Sequence, residues 1–237
     1  DAGTCLSYDE SSGLLWNRNT THRDYLKHRL GMGDVPFQIS IQAPKERFSI
    51  YKDELADKPR FIKENYDVLY DVPVVLDLAK HQLIGIVGGA QKAGAIEIAK
   101  LLAAQIAANN CYTDVKLGFI YDGEVSNEEK EWTFAKWLPH VWSEDKKTRY
   151  CAASAEQASD VFYELTKVFR TRLEEEQQNL GSKEQIPKPY YVLFVSDMHI
   201  LEGELIARYI FDKDRAAGLT TFILAERAWR RFGLRFI

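Results

Sequence analysis

The residues best placed to do chemistry lie between Gly88 and Ile96. An apolar run, Leu83 to Val87, feeds a glycine-rich turn that opens into Ile, Leu and Ala at helical spacing through Gln105. Strand, glycine loop and helix in that order cradle phosphate: backbone N–H groups and the helix N-terminus surround the anion, a lysine adds an ammonium, and a Ser or Thr hydroxyl reaches a magnesium ion. Laid on Gly89, Ala90, Gln91, Lys92, Ala93, Gly94, Ala95 and Ile96, the pattern G-x-x-x-x-G-K-[ST] finds both glycines. Its two chemically active positions read Ala95 and Ile96, and neither side chain can touch a phosphate or a metal. The loop keeps the backbone device and lacks the side-chain chemistry. Lys92 reads as a solvated loop residue; alternatively it is a displaced lysine folded back over the site.

Glycine-rich strand-to-helix turns are common in α/β domains, so the plain structural reading stands beside the phosphate-loop one. A dinucleotide turn is a third reading, with Asp122 ending the next strand where a ribose-binding acid sits. However, Gly85, Gly88, Gly89 and Gly94 do not make G-x-G-x-x-G.

The elements that must position this loop come next. Residues 1–19 read as an irregular leader or linker, and 20–237 as one domain. Thr21 to Leu30 has helical spacing, stopped by Gly31 and Gly33. Val35 to Ile41 alternates as an edge antiparallel strand. Asp53 to Tyr66 reads as a helix, and Val72 to Leu78 as a strand close enough to Leu83–Val87 to form a hairpin. Further strands are expected at Val115 to Tyr121, Arg149 to Ala152, Tyr190 to Asp197 and Leu219 to Ala225. Helices are expected at Asn127 to Leu138, from Ala155, capped by Ser154, to about Asn179, and from Glu202 to about Lys213. Strands alternating with helices predict an α/β fold: a mostly parallel sheet flanked by helices, with an N-terminal antiparallel addition. Trp132, Trp137 and Trp142 fall within eleven residues. That is more aromatic surface than one helix face buries, so at least one is expected at an interface and at least one in the core.

Composition excludes several classes. The chain has 237 residues and a formal net charge of −4, with no basic excess to suit nucleic acid. The cluster of Arg227, Arg230 and Arg231 reads as a solvated face. Cys5, Cys111 and Cys151 are odd in number and widely spaced, and the five histidines are scattered, so neither a disulfide frame nor a metal site is expected. No apolar run approaches the roughly 18 residues that span a bilayer. The chain begins D-A-G-T without Met, as a piece of a longer protein would.

Several stretches resemble one known family. D-R-A-A-G-L-T-T-F-I-L-A-E-R (Asp214 to Arg227) is similar to a stretch of the FtsK/SpoIIIE translocases. R-L-G-M-G-D-V-P-F (Arg29 to Phe37), V-P-V-V-L-D-L-A-K-H-Q-L-I-G-I-V-G (Val72 to Gly88) and W-L-P-H-V-W-S-E-D (Trp137 to Asp145) together look like the membrane-proximal ATPase-like domain of the FtsK/SpoIIIE-type motor of type VII secretion systems. The resemblance implies a P-loop (RecA-like) fold, a parent anchored by upstream membrane helices with tandem ATPase domains downstream, and a ring-like hexamer that exports small helical proteins.

Carried over residue by residue, the family's catalytic groups are missing. Ala95 stands for the phosphate-binding lysine and Ile96 for the magnesium-binding Ser/Thr. Ser196 and Asp197 take the places of the Asp-Glu pair, and Glu226 replaces a neutral polar group that would meet the γ-phosphate. The C-terminal W-R-R-F-G-L-R-F-I departs from the family's last strand and helix. The expectation is a non-hydrolytic module at the cytoplasmic face of the membrane, with no cofactor. Its partners would be neighbouring domains, subunits and other secretion components, with no nucleic acid and membrane contact only through the parent. The alternative is an active ATPase domain that uses ATP and magnesium through Lys92 and Asp197.

Overall fold

A computed structural model describes residues 13–37, 55, 58–123, 128–178, 186–212, 218–227 and 235–236. It divides into two units, residues 29–76 and the remainder. The smaller holds most of strands β1 (Lys27–Pro36) and β2 (Val68–Asp77), which pair as a two-stranded antiparallel sheet, and helix α1 (Lys58–Asn65). The helix expected over Thr21 to Leu30 is instead a series of turns followed by the start of β1. The stretch K-H-R-L-G-M-G-D-V-P is a strand because pairing with β2 satisfies its backbone, and tertiary pairing overrides a weak helical spacing. Of the expected strand Val35 to Ile41, residues 38–41 lie outside the described residues.

The larger unit is built on a six-stranded sheet. Its members are β3 (Leu83–Val87), β4 (Val115–Ile120), β5 (Cys151–Ala152), β6 (Tyr190–Val195), β7 (Leu219–Ala225) and β8 (Arg235–Phe236), in the order β5-β4-β6-β7-β3-β8. Every pairing is parallel. The expected hairpin between β2 and β3 does not form. Leu78, after β2, is buried, and its carbonyl accepts from the Tyr190 hydroxyl at 3.1 Å and from Thr220 Oγ1 at 2.9 Å. Those bonds tie the connection to the amino ends of β6 and β7.

Both faces of the sheet are covered, which is why its strands read as continuous apolar runs. On one face Tyr191, Leu193 and Val195 of β6 pack against Val161, Phe162, Leu165 and Phe169 of α3 (Ala155–Gln178). On the other, Phe119, Phe194 and Phe222 stand in register across β4, β6 and β7 and stack at 5.3 and 5.0 Å. Trp132 lies 5.2 Å from Phe119 and closes that ladder. It ends the short helix α2 (Glu128–Trp132). The helix expected over Asn127 to Leu138 thus ends early, and a 3₁₀ turn (Thr133–Trp137) continues it. Ser154 caps α3 as expected: its Oγ accepts from the Gln157 N–H at 3.3 Å, and Gln157 Oε1 accepts from the Ala153 N–H at 2.9 Å.

Because β3, β4, β6 and β7 run parallel, the segments leaving their carboxyl ends gather on one edge, where ligands bind in open α/β sheets. β7 lies between β3 and β6. The glycine loop is therefore a neighbour of Glu226 and of Ser196–Asp197 although each is more than a hundred residues from it in sequence.

Candidate functional site

The loop after β3 begins with Gly88, whose N–H donates to the Ala225 carbonyl of β7 at 2.9 Å. A Cβ on Gly88 would stand 2.1 Å from the Ala95 nitrogen, so only glycine lets the helix Ala93–Asn109 start this close to the strand. Gln91 and Lys92 follow, both left-handed at φ 54° and 56°. Two consecutive non-glycine residues there cost roughly 1–2 kcal/mol each, so surrounding contacts must hold them.

Those contacts come from the protein's own carboxylates. The Gln91 N–H, one of the loop donors aimed at the edge, gives its hydrogen bond to Glu226 Oε1 at 2.9 Å. The Lys92 ammonium donates to the Ser196 carbonyl at 2.6 Å and to Glu128 Oε1 at 3.3 Å. The reading of Lys92 as a solvated loop residue is corrected: the left-handed backbone turns its side chain across the edge onto β6. Glu128 is the partner that sequence reasoning missed. It lies in the expected helix Asn127 to Leu138, and its side chain is 6% exposed. No spacing in the sequence links it to Lys92, 36 positions away.

The other candidates have structural duties. Ala95 is 0% exposed, and Ile96 is buried while its outer edge lines the cavity. Ser196 is buried, with its N–H on the Ile120 carbonyl at 2.9 Å. Asp197 Oδ1 accepts from the His199 N–H at 2.9 Å and so caps the 3₁₀ turn Met198–Leu201. Asp122 follows β4 and is not among the residues lining the cavity.

The cavity enclosed by these segments has a volume of about 1110 Å³. Besides Glu128 and Glu226 it is lined by Glu97, Glu131 and Asp197, against the two cations Lys92 and Arg227. Lys100, beside it, pairs with Glu131 and Glu97. An excess of carboxylates repels a triphosphate, and both Lys92 and Lys100 already have carboxylate partners. The residues present fit magnesium-ATP poorly: Ile96 and Ala95 are buried apolar side chains that offer neither a metal ligand nor an ammonium, and a loop donor is held by Glu226. Among the described residues no group of three or more His, Cys, Asp or Glu is arranged to hold a metal ion.

The three tryptophans part company. Trp132 is 2% exposed and is core, which removes it from the interface candidates. Its ring sits on Phe119 and Phe194, so its sequence neighbourhood misled. Trp137 is 83% exposed, and Trp142 is half-buried with the Arg149 guanidinium 4.5 Å above its ring.

The parallel sheet with a glycine loop at its carboxyl edge is a P-loop NTPase fold. The chain superposes on a structure of EssC (ATPases 2 and 3) from Geobacillus thermodenitrificans with a TM-score of 0.53, covering 93% of this chain and 37% of that one at 12% identity. No family model matches the chain. It is 28% identical over 223 residues to the ESX secretion system protein YukB of Bacillus subtilis. Over 214 residues it is 24% identical to the ESX secretion system protein EccC of Geobacillus thermodenitrificans, and over 197 residues 24% identical to the type VII secretion system protein EssC of Staphylococcus aureus. These matches cover 92%, 90% and 83% of this chain. Its homologues are thus proteins of type VII secretion systems, and the chain resembles one part of them. It spans only 14% of the length of YukB and EccC and 13% of EssC. No helix among the described residues is long and apolar enough to cross a membrane.

Proposed function

We propose that this domain is a non-hydrolytic, pseudo-ATPase module of a type VII secretion motor. In that role it couples the parent's membrane anchor to downstream ATPase domains at the cytoplasmic face and supports assembly of the motor's oligomer, a hexameric ring. It needs no cofactor. One observation carries the reading: the phosphate loop is liganded by the protein itself, with Glu226 on the Gln91 N–H and Glu128 and Ser196 on the Lys92 ammonium. A nucleotide would have to displace an internal carboxylate and enter an acidic cavity without the lysine and hydroxyl that repay such a step.

Charge-assisted hydrogen bonds are worth roughly 1.5–3 kcal/mol each, and each 1.4 kcal/mol is about tenfold in affinity. Losing the lysine and the metal contact weakens ATP binding by about two to three powers of ten. Calorimetry with Mg-ATP is expected to show no heat of binding at sub-millimolar concentration, and no phosphate is released. A micromolar, magnesium-dependent dissociation constant would refute the proposal. That result would favour the second reading, an active site with a displaced lysine, for which the reach of Lys92 to the end of β6 is the supporting observation. The double change Ala95→Lys, Ile96→Ser should restore little, because Glu226 still holds the loop and Ala95 is packed against Gly88.

A further inference from the structure

A second cavity, of about 650 Å³, opens away from the glycine loop, beside the amino end of β4. The rings of Tyr112, Trp137 and Trp142, with Pro139, make walls that an apolar side chain would fill. The walls are held in place before any ligand arrives. His140 Nε2 lies 2.8 Å from the Asn110 carbonyl, and its ring meets Tyr112 edge-on at 6.4 Å. Trp142 bridges to Arg149, and the turn between them is locked by the Ser143 N–H on the Thr148 carbonyl at 2.9 Å and by Ser143 Oγ on Asp145 at 2.6 Å.

The cavity's polar group is Lys116, the second residue of β4. It is only 4% exposed and yet lines the opening. Among the described residues its ammonium makes no hydrogen bond or ion pair; it lies over the Tyr112 ring, 5.6 Å from Nζ to the centroid. Burial lowers the pKa of this lysine, opposed in part by Glu144 on the rim, so a further anion brought against the ammonium would be favourable. The rim adds Lys146 against Glu144, leaving the cavity net basic in a chain of net charge −4. Aromatic walls and a poorly compensated, desolvated ammonium complement a ligand that is apolar on one side and a carboxylate on the other.

We propose that this cavity binds a peptide segment of a partner protein in which a large apolar side chain stands beside a carboxylate. The apolar side chain enters between Trp137 and Trp142, and the carboxylate pairs with Lys116. A cavity of this size holds one or two side chains, and the open rim at the exposed Trp137 lets a chain run past on both sides.

The test uses the 237-residue chain and an immobilised set of capped hexapeptides. Each peptide carries one Phe, Leu or Trp next to one Glu or Asp, and is matched by the same peptide with Gln or Asn. The expected result is retention of acidic peptides at least tenfold better than their amide counterparts, with quenching of tryptophan fluorescence when the Phe and Leu peptides are added in solution. Lys116→Met keeps the length and removes the charge, and it should abolish that preference while the thermal melting curve stays cooperative. Trp137→Ala should weaken all peptides without altering the preference. Equal retention of acid and amide forms, or an unchanged preference in Lys116→Met, would overturn the proposal. Should Lys116→Met fail to fold, charge reversal at the rim, Lys146→Glu, serves instead: the acid preference must fall. If N-acetylphenylalanine binds as tightly as the best peptide, the cavity takes small carboxylates and the peptide assignment is wrong.

Discussion

At the scale of single residues, the Lys92–Glu128 pair decides the character of the loop. Breaking a buried pair from one side leaves an uncompensated charge, which costs up to about 3–5 kcal/mol. Lys92→Met strands the Glu128 carboxylate, whose second oxygen already has no hydrogen-bond partner among the described residues. Urea denaturation at pH 7 should show the larger part of that loss. The double change Lys92→Met, Glu128→Gln should recover most of it, a coupling that a double-mutant cycle isolates. Additive losses would mean that the two side chains act separately.

Two histidines give the fold a pH dependence. His28 is buried, with neither ring nitrogen hydrogen-bonded among the described residues; burial, then Arg18, push its pKa down to about 3. Burial also lowers that of His140, against the opposing effect of its bond to Asn110. A depressed folded-state pKa means that the unfolded chain binds protons first. The stability is whole above the ordinary histidine value of about 6.5 and falls as pH drops below it, by up to about 1.4 kcal/mol per pH unit for each histidine. Melting temperature measured from pH 8 to 4 should be flat at first and then decline. His28→Met should shallow the decline; an unchanged profile would show that carboxylates alone cause it.

At the scale of elements, the glycine loop and the α3 cap illustrate how local chemistry starts a helix. Ser154→Ala removes the acceptor for the Gln157 N–H and should cost about 1 kcal/mol, measured by denaturation. Gly88→Ala should cost more, since its Cβ meets backbone at 2.1 Å rather than a flexible side chain. The strands β3 and β7 and the cap at Ser154 were legible because each depends on nearby residues: an apolar run bounded by turns, or a hydroxyl three positions before a glutamine. The turns over residues 21–26 and the partner of β2 were not, since strand pairing is chosen by segments distant in sequence.

At the scale of the molecule, the aromatic residues divide between cohesion and contact. Trp132→Ala opens a hole beside Phe119 and Phe194 and should lower stability by about 3–5 kcal/mol. Trp137→Ala should leave stability within about 0.5 kcal/mol, because its ring faces solvent. Under the proposed role, the second substitution, and not the first, should impair assembly of the full-length parent in proportion beyond its effect on folding. Measuring both by denaturation and by size-exclusion chromatography separates the two effects. Normal assembly with Trp137→Ala would remove that ring from the interface.

The sequence by itself determined the alternation of strands and helices, the glycine loop with Ala95 and Ile96 in its active positions, and the resemblance to type VII secretion proteins. Each is carried by contiguous residues, where propensity, spacing and motif act over a few positions. Only the tertiary structure decided what fills the loop. Glu226, Ser196 and Glu128 reach it because β7 lies beside β3, β6 beside β7, and β4, whose following segment carries Glu128, beside β6; that parallel order brings segments about 35 to 135 positions apart within hydrogen-bond distance. The same reason parted Trp132 from Trp137: five residues apart in sequence, one ends a helix over the aromatic ladder and the other leaves a 3₁₀ turn toward solvent.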